Sequence, residues 1–92
     1  MASYATLDSL IKVGRRPKVN VSHLFAVGQT VKIFRAHPRP KGWEMICEAV
    51  ISKIPKDARG YETNEILFAD PLPKEVKRGD LVILGDLPDL PA

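Results

Sequence analysis

Nine consecutive residues, Arg35-Ala36-His37-Pro38-Arg39-Pro40-Lys41-Gly42-Trp43, gather three fixed cations and the one tryptophan of the chain. Arg35, Arg39 and Lys41 suit phosphate oxygens, and Trp43 offers a face on which a base can stack. Pro38 and Pro40 stiffen the backbone between them, so ordering this stretch against a phosphate backbone costs less entropy. Cations for phosphates beside an aromatic for a base is the chemistry of single-stranded nucleic-acid binding. The competing use of Trp43 is as a core residue at the head of a strand, which would leave a solvated basic loop.

A second set of cations, Lys12, Arg15, Arg16 and Lys18, lies upstream in a polar stretch broken by Pro17. Basic arms of this kind track nucleic-acid backbones or acidic protein surfaces, and they also occur as solubilising tails. The charge of the chain is divided accordingly. Residues 1–41 carry eight bases against one acid, giving +7, and residues 42–92 carry six against ten, giving −4, which together make the net +3. A basic front and an acidic back produce a sided field, and they also permit head-to-tail self-association between copies.

Other chemistries find little support. His23, His37 and Cys47 are the soft or borderline ligands, their spacings match no zinc signature, and there is no second cysteine. Neither a metal nor another cofactor is expected. Cys47 falls in the middle of an apolar stretch, where a thiol behaves as a small hydrophobe and lacks an activating base. Glu44 and Glu48 alternate with apolar residues as a strand's solvent face does, and nothing pairs them as an acid/base couple. Arg78-Gly79-Asp80 spells an adhesion tripeptide but reads better as a glycine turn into a strand, and the proline-spaced ending lacks the base that such ligands carry. No phosphate-cradling glycine loop is present. The expectation is a binding module, not an enzyme.

The elements that must position these residues are short. Ninety-two residues make one domain, and eight prolines with six glycines favour turns over long helices. No apolar run reaches the roughly 20 residues of a membrane span. The first residues lack a secretory pattern, and a single cysteine suits a reducing compartment, so a cytoplasmic location is expected and no membrane partner is.

Residues 1–22 read as a basic arm, in which Thr6 could cap a short helical turn with Leu7, Leu10 and Ile11 on one face and Gly14 ending it. From residue 23 the pattern has period two. Residues 29–36 (QTVKIFRA) follow a glycine turn and alternate Val31 and Ile33 against Lys32 and Phe34. Residues 43–54 (WEMICEAVISKI) place Trp43, Met45, Cys47, Ala49 and Ile51 on one apolar face. A helix competes there, but strict alternation without a helix cap favours a long, bent strand. Residues 62–69 and 80–84 complete the set, which ends at 85, and residues 86–92 form an acidic, proline-rich tail. The two glycine-led stretches at 28–33 and 79–84 use the same turn chemistry without amounting to a repeat.

FAVGQTVKIF, a loop, GWEMICEAVISKI, a turn and YETNEILF together resemble SH3-like barrels of the Tudor and KOW type over roughly residues 25–84. The resemblance implies an all-β fold: a small SH3-like barrel or rolled antiparallel sheet of four to five strands, here with an N-terminal basic arm. The functional expectation is a module that holds nucleic-acid backbone with low specificity through Lys12, Arg15, Arg16, Lys18, Arg35, Arg39 and Lys41, with Trp43 stacking where its ring is exposed. The alternative is a structural or adaptor protein, a small assembly component or inhibitor, docking on a protein partner through its arm and tail.

Overall fold

A computed structural model describes residues 3–9, 17–20 and 23–85. Among these there is no α-helix, and the chain is all-β. Six strands, β1 (Ser3–Ser9), β2 (Lys18–Val19), β3 (Thr30–Ala36), β4 (Trp43–Lys53), β5 (Leu67–Phe68) and β6 (Leu81–Leu84), form one sheet in the order β2-β1-β6-β3-β4-β5. Every pairing is antiparallel, and the sheet curls into a half-barrel.

Its two edges are tied together. Lys18 bridges Glu65, the Val19 amide donates to the Asn64 carbonyl at 2.9 Å, and the Ile66 amide donates to the Pro17 carbonyl at 3.0 Å. At the other margin of β1, Ser3 stands opposite Leu84.

The concave side holds the core. Leu7, Val19, Val31, Ile33, Ile51, Ile66 and Val82 are all fully buried. They come from six separate parts of the chain, so the core is assembled by long-range pairing and not by any local segment.

Two expectations need correction. Residues 6–9 do not form a helical turn: Ala5 and Leu7 are buried while Tyr4 and Asp8 are exposed, which is the period of a strand. The Thr6 amide donates to the Asn20 side-chain oxygen at 2.8 Å, so Thr6 is joined to the β2 segment and caps nothing. Leu10, Ile11 and Gly14 lie outside the described residues. The sheet therefore gains β1 and β2 from a stretch read as an arm, while the strand expected over 62–69 contracts to Leu67–Phe68.

The second correction concerns the apolar face of β4. Ile33 pairs with Cys47 but Phe34 pairs with Met45, so Ile46 is the extra residue of a bulge. One inserted residue reverses the alternation. Cys47, Ala49 and Ile51 face the core, whereas Met45 swings to the convex side and is 48% exposed.

Strand direction sorts the connections. With β1, β3 and β5 running one way and β2, β4 and β6 the other, the 37–42 loop, Ser9, Lys18 and residues 75–80 of the 69–80 loop share one rim. Residues 23–29 and the start of the 54–66 connection lie at the opposite rim, where the Gly28 amide donates to the Ile51 carbonyl at 2.7 Å and where the 69–80 loop also begins, since Phe68 pairs with Ile51.

Candidate nucleic-acid interface

Arg35 lies one residue past the bulge side of β3, and its side chain crosses to the 69–80 loop. Its Nε donates to Asp80 Oδ1 at 2.8 Å and its Nη2 to Asp80 Oδ2 at 2.9 Å, a two-pronged pair that matches guanidinium to carboxylate. Nη2 also donates to the Glu75 carbonyl at 2.8 Å, and the Lys77 amide donates to Asp80 Oδ2 at 2.9 Å. Asp80 is 2% exposed, so its charge is held by these donors instead of by water. The hydrogen bonds to Asp80 raise the pKa of Arg35 above its ordinary value. This side chain, expected to meet phosphate, is a clamp that joins the end of β3 to the 69–80 loop.

The 37–42 loop is a tight hairpin. The His37 amide donates to the Gly42 carbonyl at 2.9 Å, and Gly42 has φ 70°, a left-handed backbone that glycine adopts without strain. His37 Nε2 lies 2.7 Å from Glu44 Oε1, and the hydrogen bond it donates holds the Glu44 carboxyl below the usual carboxylate range, with Lys41 and Arg35 adding to the effect. Arg39 and Lys41 are exposed at the hairpin tip.

Trp43 is half-buried and lies outside the core cluster, on the convex face. Its ring meets Phe34 edge-on, with centroids 5.9 Å apart and planes at 78°. Lys18 is exposed in β2, opposite Ser9. Lys12, Arg15 and Arg16 lie outside the described residues.

The 69–80 loop adds cations that sequence reasoning passed over. Lys74, Lys77 and Arg78 are exposed there, against the exposed acids Asp70 and Glu75. Their signal was the run KEVKRGD, hidden because the whole second half of the chain averages to a negative charge. Arg39 and Lys41 on one loop thus stand on the same rim as Lys74, Lys77 and Arg78 on the other, with the Arg35–Asp80 pair between them.

No cluster of metal-binding side chains occurs among the described residues. A depression of about 590 Å³ beside β5 offers Ser52 and Asp70 as its polar side chains, and the Ser52 hydroxyl already donates to the Leu67 carbonyl at 3.1 Å. Cys47 packs against the core; burial, with the charges of Asp80 and Glu75, pushes its thiol up from the ordinary value. In the folded protein at neutral pH it is therefore expected to react with iodoacetamide at least about tenfold more slowly than a free thiol, and at the free-thiol rate in denaturant. Equal rates in the two conditions would show an accessible thiolate instead.

Among the described residues no helix is long and apolar enough to cross a membrane. Compared with protein-family models, with curated proteins and with solved structures, the chain matches none of them.

Proposed function

We propose that this protein is a non-enzymatic small β-barrel module that holds nucleic-acid backbone, with little sequence preference, on its basic rim. The observation that carries this reading is the Arg35–Asp80 clamp, which ties the loop bearing Lys74, Lys77 and Arg78 to the end of β3, from which the hairpin bearing Arg39 and Lys41 follows. A fixed arrangement of cations loses less entropy on meeting a polyanion than the same charges on a tail. Lys18 extends the rim and Trp43 flanks it, and Lys12, Arg15 and Arg16 are further cations of the sequence between Ser9 and Pro17. We also take the half-barrel to be SH3-like in kind: a glycine turn at Gly28 leads into β3, a loop follows, and β4 is the long bent strand of that pattern.

Binding of a fluorescent single-stranded oligonucleotide, followed by anisotropy, tests the reading. With about five cations on phosphate, affinity should fall roughly 100-fold between about 50 and 200 mM salt. Lys77→Glu with Arg78→Glu should weaken binding and flatten that dependence, because both side chains are exposed and their loss leaves the core intact. No detectable binding at low salt ends the proposal.

A further inference from the structure

We infer that the convex face beside the rim is a platform for unpaired bases, so that the ligand is a single strand; this rests on the backbone-binding reading above. Alternation along β6 turns Val82 and Leu84 toward the core and Leu81 and Ile83 to the convex side. Two rows cross that side. One runs Thr6, Leu81, Phe34 and Met45; the other runs Tyr4, Ile83, Lys32 and Glu48. Ile83 is only 2% exposed, so the accessible apolar surface lies at Tyr4 on one flank and at Phe34, Met45 and Trp43 on the other. Trp43 lies beyond Phe34, opposite Ala36. From the level of Ala36 to that of Lys32 the strand covers about 13 Å.

Three of the chain's six aromatic residues, Tyr4, Phe34 and Trp43, stand on this face and outside the core cluster, which takes Phe25 and Phe68. Tyr4 is 45% exposed and Met45 48%, the latter turned outward by the bulge at Ile46. Aromatic rings and a thioether held on a sheet present flat, polarisable surface, which matches the face of a base. Charge complementarity decides the occupant. The face itself has Lys32 with Glu48 opposite it, so it supplies stacking and little net charge, while the adjoining rim supplies cations. A strand whose phosphates follow the rim can lay its bases on the platform; a duplex keeps its bases stacked on each other and gains from the rim alone.

The test compares an oligo-dT or oligo-U single strand with a duplex of equal length. Tyr4→Ala combined with Met45→Ser is expected to lower single-strand affinity by about tenfold and to leave duplex affinity within about twofold. Tyr4→Phe should retain single-strand affinity, because the ring remains, and circular dichroism should show the strand signal unchanged in all variants. Unchanged single-strand affinity in the double variant overturns the platform and leaves the rim reading standing. Absence of binding to both probes by the unaltered protein removes both. If the double variant instead abolishes a dimer seen by sedimentation while oligonucleotide affinity stays the same, the face is a contact between copies and the inference falls.

Discussion

Replacing Leu7 by alanine is expected to destabilise the protein by about 2–5 kcal/mol, the range for emptying a fully packed aliphatic site. Leu7 has no exposed surface and pairs with Val19 in the ladder. Its amide donates to the Asp80 carbonyl at 2.8 Å, and its own carbonyl accepts from the Gly79 amide at 2.8 Å. The side chain thus fills the core at the point where β1 is stitched to the start of β6. Urea unfolding measures the effect as a lower midpoint at unchanged slope. Asp8→Ala, one residue further along the same strand but exposed, should stay within about 0.5 kcal/mol. If the two variants behave alike, residues 3–9 are an appendage to the fold and β1 contributes nothing to its core.

Asp80→Ala should cost about 2–3 kcal/mol, because the Lys77 amide and the Arg35 fork lose their shared acceptor in a site closed to water. On a domain of this size that corresponds to a fall in melting temperature of roughly 10–20 °C. Asp80→Asn is milder, since an amide oxygen still accepts from the Lys77 amide. Arg35→Met with Asp80→Leu should recover part of the loss, as apolar replacement of an internal pair commonly does. Oligonucleotide affinity follows a different order. Every variant that removes the clamp, the apolar pair included, loosens the 69–80 loop from the end of β3 and should bind more weakly. Full affinity in the clamp-less protein would mean that the rim cations act independently, as a tail's would.

Three strands were legible because their chemistry is local. Val31 and Ile33, the alternation through Cys47, Ala49 and Ile51, and the Gly79 turn into Leu81 each declare a half-buried strand within a few residues. β1 was not legible, because Leu7, Leu10 and Ile11 satisfy a helical spacing while Ala5 and Leu7 satisfy a strand's. Only the partners Val19 and Val82, far along the chain, decide between them. The bulge at Ile46 left no mark in WEMICEAVISKI, and with it went the true facing of Met45 and Trp43. The candidate site was half legible for a related reason. Arg39 and Lys41 stood out as a loop, but the carboxylate that claims Arg35 lies 45 residues away, and Lys74, Lys77 and Arg78 join the rim through the fold alone.

The pairing of Ser3 with Leu84 bears on how the domain can be handled and combined. Both margins of the described fold leave from the end opposite the cationic loops. A dye, a surface linker or a fusion partner attached there keeps clear of Arg39 and Lys77, and adjacency of the two margins makes the unit a candidate for insertion into a host loop or for circular permutation. The architecture behaves as a bead that can be strung into a longer chain from one pole while the pole that carries the cationic loops stays free.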